Sequence, residues 1–217
     1  MPRSLLSVAT LLVLAASMVV LGSTAQAKPL KIVAVGDSLV AGYGLEASDS
    51  FPAQLERALR AKGHDVSVIN AGVSGDTTAG GLARLEWALP ADADAAILEL
   101  GANDALRGLS PDAARKNLDK MLEILSARGL PVLIAGMRAP NNWGADYARK
   151  FDGMYSDLAK AHDAMLYPFF LEGVALDPTL NQPDGLHPNA KGVAEIVRRI
   201  LPMAEALIDR AKAKAAG

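Results

Sequence analysis

The chain has 217 residues, 51% hydrophobic and 21% charged, which suits one domain with a substantial core and excludes a disordered chain. A formal net charge of -2, without any block of like charge, gives no electrostatic footprint for nucleic acid or for an anionic membrane surface. Cysteine is absent, which excludes a thiol nucleophile, a Cys-ligated metal and disulfide support.

The chain opens with a positive start at Arg3 and an uncharged run from Leu5 to Leu21. Ala25-Gln26-Ala27 follows, a small-x-small cleavage signal, so residues 1–27 read as a secretory signal peptide. The alternative is an uncleaved anchor, because the apolar run is near the lower limit for a membrane span. The Ala-x-Ala signal at the usual place favours cleavage after Ala27, and no Cys follows to carry a lipid anchor. The expected product is a periplasmic or secreted domain, 28–217, with no stable membrane span.

In the mature chain, apolar runs alternate with amphipathic stretches. Leu30–Val35 reads as a first strand, and Ser50 can cap a helix through Lys62 that Gly63 stops. Asp65–Ile69 is a second strand. Thr77 or Thr78 opens a helix toward Leu89, weakened by Gly80 and Gly81. Ala95–Leu100 is a third strand, apolar except for Glu99. Ser110-Pro111 is a good cap and first turn for a helix to Ala127 that ends near Gly129. Val132–Met137, a helix over Asp146–His162 and a short strand at Ala164–Tyr167 follow. Pro188 can start a last helix, with a kink expected at Pro202. This order, with near-continuous apolar strands, implies a mostly parallel sheet covered by helices on both faces, a three-layer α/β/α domain. Active residues of such a sheet gather beyond the carboxyl ends of its strands.

Gly36-Asp37-Ser38-Leu39 stands at that edge after strand one. Alone, Ser38 reads more readily as a loop or helix-cap serine than as a nucleophile. Asp184-Gly185-Leu186-His187-Pro188 stands before the last helix. A nucleophilic Ser needs a base, and the base needs an acid to fix its tautomer; Asp and His in one turn supply both. Of the three histidines, His64 reads as a surface turn residue and His162 as a helix end, which leaves His187. Asn70–Asp76 offers glycine N–H groups and Gly101–Asp104 an amide, so the Ser38 N–H, the Gly75 N–H and the Asn103 side chain could face an oxyanion. Gly75 as a turn glycine and Asn103 as an Asx-turn remain open alternatives.

The blocks VAVGDSLVAGYG, NAGVSGDTTAGGLARL, LELGANDALRG and DGLHPNAKG, in this order from Ile32 to about Ala194, resemble the GDSL/SGNH hydrolase family, and within it the bacterial periplasmic thioesterase I/lysophospholipase and arylesterase branch. The resemblance implies a flavodoxin-like five-stranded sheet in the order 2-1-3-4-5 and no cofactor. It also implies Ser38 as nucleophile, His187 as base, Asp184 as its orienting acid, and Gly75 and Asn103 as oxyanion donors. The absence of Gly-x-Ser-x-Gly argues against an ordinary α/β-hydrolase, and no His/Asp/Glu cluster has metal-ligand spacing. The expected substrate is a small acyl ester, thioester or lysophospholipid, and a monomer is expected. Two alternatives stand beside this: an envelope carbohydrate O-acetylesterase, and a non-catalytic flavodoxin-like binding module. Candidate walls for an acyl groove are Arg107–Leu109, Met137–Gly144 and Phe169–Val174, the last competing with core packing.

Overall fold

Five strands make the centre of the fold in the computed structural model, which describes residues 28–215; the expected leader lies outside these. The strands are β1 (Leu30–Gly36), β2 (Val66–Gly72), β3 (Ala95–Glu99), β4 (Val132–Ala135) and β5 (Met165–Tyr167). All pairings are parallel and the order is β2-β1-β3-β4-β5, as the resemblance implied. β3 and β4 are buried along their whole length, as is β1 from Ile32 onward. Helices cover both faces, which is why these strands are apolar runs without alternation.

The helices are α1 (Ser38–Ala41), α2 (Phe51–Ala61), α3 (Thr78–Ala88), α4 (Ala102–Leu106), α5 (Pro111–Ala127), α6 (Ala145–Ala161) and α7 (Ala190–Ala215). The chain steps from β1 outward to β2, then reverses through β3, β4 and β5. Right-handed crossovers therefore put α2 on one face and α3, α5 and α6 on the other. The contacts agree: α2 packs with α7, and α5 packs with both α3 and α6. The reversal lies between β1 and β3, so the crevice beyond their carboxyl ends is the position where such a sheet takes a ligand. Phe51 and Phe170, both fully buried, meet edge-to-face at 4.9 Å and tie α2 to the segment after β5.

Several local expectations hold. Thr77 accepts the Gly80 N–H, and Ser110 accepts the Ala113 N–H, each capping its helix. Others are corrected. Ser50 precedes α2, but its hydroxyl donates to the Ala47 carbonyl and caps nothing. The last helix starts at Ala190, two residues after Pro188, because Asn189 Oδ1 accepts the N–H groups of Lys191 and Gly192. Pro188 is held back by bridge pairing with Asn181. α7 continues through Pro202. β2 extends to Gly72 and absorbs the start of the predicted loop, while β4 ends at Ala135, before Met137. The short helices α1 and α4 were not expected as elements. His64 is no free surface residue: it is half-buried, with Nε2 3.2 Å from Glu205 on α7.

Candidate active site

Ser38 is the first residue of α1, directly past the carboxyl end of β1. The turn between them is tight: a Cβ on Gly36 would lie 2.3 Å from Val40 Cγ2 and 2.7 Å from Glu99 Oε2, so only glycine lets strand and helix meet there. Asp37 caps α1, accepting the Leu39 N–H at 3.0 Å. The Ser38 hydroxyl is half-buried and 2.9 Å from His187 Nε2. His187 Nδ1 is 2.6 Å from Asp184 Oδ2. A carboxylate only accepts, so Nδ1 carries the proton, and Nε2 is left to accept from Ser38.

The Asp184–His187 turn is an Asx-type turn. Asp184 Oδ1 accepts the N–H groups of Leu186 at 2.9 Å and His187 at 3.0 Å. Those backbone bonds, then the His187 side chain, hold the Asp184 carboxyl down to a pKa of about 2. The loop is fixed from behind by Gln182, whose N–H donates to the His187 carbonyl and whose amide donates to the Tyr43 and Pro188 carbonyls. The Tyr43 ring lies 4.6 Å from the imidazole, a contact between residues too far apart in the chain for sequence reading to pair them.

Asn103, in α4 beyond β3, sits at the same edge. Its amide donates to Asp37 Oδ2 at 3.1 Å and to the Asp76 carbonyl at 2.9 Å. Gly75 turns with φ +86°, and its carbonyl accepts from Arg107 at 3.0 Å. Among the described residues, neither the Ser38 N–H nor the Gly75 N–H donates to a protein acceptor. The three segments expected to supply oxyanion donors are thus tied together by Asn103, through Asp37 to the Ser38 helix and through Asp76 to the Gly75 turn. Both amide hydrogens of Asn103 already have acceptors, so receiving an oxyanion requires one to be shared.

Beneath these groups lie two fully buried carboxyls. Glu99 Oε2 accepts the Asp37 N–H at 3.3 Å, and Glu99 Oε1 has no hydrogen-bond partner among the described residues. Burial pushes Asp37 up to about 6 against its hydrogen bonds, and burial plus the neighbouring Asp37 push Glu99 well above the carboxylate range.

A mainly apolar cleft of about 560 Å³ opens beside Ser38 and reaches His187 and Asn103. Of the expected walls, Met137–Asn141 and Phe169 line it, with Leu171. Arg107, Gly108 and Leu109 do not; Ala105 and Leu106 of α4 take that place. Phe170 and Val174 are core residues, fully buried. Leu39, Leu176 and Leu186 complete the cleft from loops far apart in sequence. Trp143 stands behind it, its indole donating to the Ala105 carbonyl at 2.7 Å and its ring lying over Gly108. Among the described residues there is no group of three or more His, Asp or Glu side chains placed to hold a metal, and no helix long and apolar enough to cross a membrane.

Residues 34–194 match the model of the GDSL-like Lipase/Acylhydrolase family. The chain is similar to the esterase TesA of Pseudomonas aeruginosa, 38% identical over 85% of this chain and 92% of the relative. It is also similar to the thioesterase 1/protease 1/lysophospholipase L1 of Escherichia coli, 42% identical over 73% of this chain and 75% of that one. Among solved structures, the SGNH-hydrolase family esterase AlinE4 superposes with a TM-score of 0.70 at 54% identity, covering 82% of this chain and 97% of its own.

Proposed function

The chain belongs to the GDSL-like lipase/acylhydrolase family and is an ester hydrolase, and we propose that it cleaves carboxylic esters and thioesters of acyl chains through an acyl-Ser38 intermediate. The observation that carries this reading is the unbroken relay from Ser38 Oγ through His187 to Asp184, at 2.9 and 2.6 Å. His187 Nε2 takes the hydroxyl proton as Oγ attacks the acyl carbonyl. Charge gathers on the carbonyl oxygen, toward which the free N–H groups of Ser38 and Gly75 and the Asn103 amide are available. Collapse expels the alcohol or thiol with the proton from His187. Water, activated by the same imidazole, then releases the acid. Asp184 remains anionic throughout and holds the imidazolium in register.

The cleft supports an acyl chain of medium or greater length, since its walls are mainly aliphatic and it reaches His187 and Asn103, which flank Ser38. This favours esterase, thioesterase and lysophospholipase substrates over acetylated sugars, and the relay is superfluous in a mere binding module. Arg3, the apolar run and Ala25-Gln26-Ala27 support export, with a mature chain starting at Lys28.

The test is labelling with a fluorophosphonate probe together with hydrolysis of an ester series graded by acyl length. Wild type should be labelled and favour the longer esters, and Ser38→Ala should lose both labelling and turnover. Labelling that survives in Ser38→Ala would overturn the assignment of the nucleophile.

A further inference from the structure

Glu99 is the single charged residue in a strand that is otherwise Ala, Ile and Leu, and the hydrolytic steps above make no use of it. It lies against Asp37, which is also fully buried, and among the described residues the two carboxyls have no buried cation between them. The nearest guanidinium in the network, Arg84, is engaged by Asp76 and by the carbonyls of Ala71 and Gly36. Two adjacent carboxyls out of water, without a cation, do not both ionise; they share one proton.

The hydrogen bonds say which one holds it. Asp37 accepts from the Leu39 N–H with one oxygen and from the Asn103 amide with the other, and both bonds favour its anion. Glu99 accepts one long backbone N–H bond, and its second oxygen is orphaned. An orphaned carboxylate oxygen in the core is costly, whereas an undissociated acid loses far less there.

We propose that Asp37 is a positioning residue of the active site, its carboxylate joining the helix of Ser38 to the amide of Asn103, while Glu99 beneath it carries the proton the pair must share. The Asp37 anion fixes which way the Asn103 amide points, and so places the donor that meets the oxyanion. Neutral Glu99 supports the Asp37 backbone without adding a second charge that would repel this anion. The other titratable or charged groups facing the pair are His187 from the loop before α7, Tyr155 from α6, Asp104 from α4, and Arg84 on α3 with its partner Asp76. The proposal rests on the reading of Ser38 and Asn103 given above.

Two measurements on the mature chain test it. The first is infrared difference spectroscopy of wild type against Glu99→Gln at neutral pH. A protonated-carboxyl stretch should be present in wild type and missing in the variant. This readout does not depend on Ser38 being the nucleophile, so it separates failure of this proposal from failure of the hydrolase reading. The second is kinetics with a soluble ester. Gln is the conservative replacement for an undissociated Glu, so Glu99→Gln should fold and keep kcat within about threefold of wild type. Asp37→Asn removes the charge and leaves one acceptor oxygen for two donors, the Leu39 N–H and the Asn103 amide, and kcat should fall by about ten- to a hundredfold with KM little changed, the loss of one charge-assisted hydrogen bond read as a rate. If Asp37 acts through Asn103, the Asp37→Asn/Asn103→Ala double variant should be no slower than Asn103→Ala alone. The proposal is overturned if no carboxyl band disappears in Glu99→Gln, if Glu99→Gln fails to fold or slows the enzyme as much as Asp37→Asn, or if the two losses multiply.

Discussion

Asn103→Ala separates catalysis from architecture, because this side chain has a structural task in the fold and a catalytic one in the proposed mechanism. Its amide is donor to Asp37 Oδ2 and to the Asp76 carbonyl, at 3.1 and 2.9 Å. Deleting it leaves the buried Asp37 carboxylate and the Asp76 carbonyl each short of a donor, which costs about 1–3 kcal/mol of stability. For a domain of this size each kcal/mol moves Tm by about 2–4 °C, so the variant should melt roughly 2–12 °C early. The oxyanion exists only as the reaction proceeds, so the catalytic loss should fall on kcat with KM nearly constant. One such donor is worth about 10² to 10³ in kcat, or about 2.7–4 kcal/mol. The Ser38 and Gly75 N–H groups remain and should sustain residual turnover. The assay is ester hydrolysis well below the lowered Tm, with active sites counted by a fluorophosphonate burst so that only folded enzyme is scored. A variant that melts early but turns over normally per titrated site would make Asn103 a scaffold residue and refute its role as oxyanion donor.

Three further outcomes are expected. Ala139 lines the cleft with its backbone pinned by Asp152, so Ala139→Phe should fill it: kcat/KM for long-chain esters should drop by about tenfold, at about 0.8 kcal/mol per methylene displaced, while acetyl esters are spared. Equal losses across the series would move the acyl chain elsewhere. Leu176 has φ +67° and is 92% exposed, so its left-handed strain is not offset by packing; Leu176→Gly should raise Tm by about 1–3 °C in a melting scan, and a fall would mean that its side chain supports the loop. Burial raises both Asp37 and Glu99, so the folded chain keeps protons that the unfolded chain releases. Stability from this source is full below about pH 4 and is lost as pH rises through about 6 and beyond. The Tm of Glu99→Gln should therefore decline less than that of wild type between about pH 5 and pH 8, and parallel curves in calorimetry would contradict the shared proton.

Much of the scaffold was legible because burial on two faces leaves a plain signature. Ile32–Val35 and Ala95–Leu98 could be nothing but central strands, and Ser110-Pro111 carried its own start signal. The strand order came from the family resemblance, since apolar runs do not record their neighbours. α1 and α4 escaped because helices of four and five residues are too short to develop a period. The start of α7 was readable but misassigned: Asn189 is a strong cap, yet Pro188 beside it also suits a first turn, and the bridge to Asn181 decided between them. Glu99 was visible as a charge in the wrong place, whereas its companion Asp37, distant in sequence, was not. The cleft was the least legible part, because Leu39, Leu176 and Leu186 meet only after the chain has folded.

The acids around Ser38 illustrate how environment divides one functional group into different tasks. Asp184 is on the surface, its side chain 37% exposed, and it keeps its charge because two backbone N–H groups and the imidazole N–H converge on it. Its alignment comes from the turn itself and owes nothing to burial, so His187 and Asp184 are held as one unit on the loop that Gln182 anchors. Asp37 and Glu99 are the reverse case. They are rigid because they are buried, and burial forbids both from being charged. In the proposed mechanism such a site has a solvent-facing half, His187 and Asp184, that transfers protons and a buried half, Asp37 and Glu99, that holds the helix of Ser38 and the amide of Asn103. Solvent reaches the first, as deacylation by water requires, and is kept from the carboxyl pair of the second, whose fixed hydrogen bonds orient the Asn103 amide at the edge of the cleft.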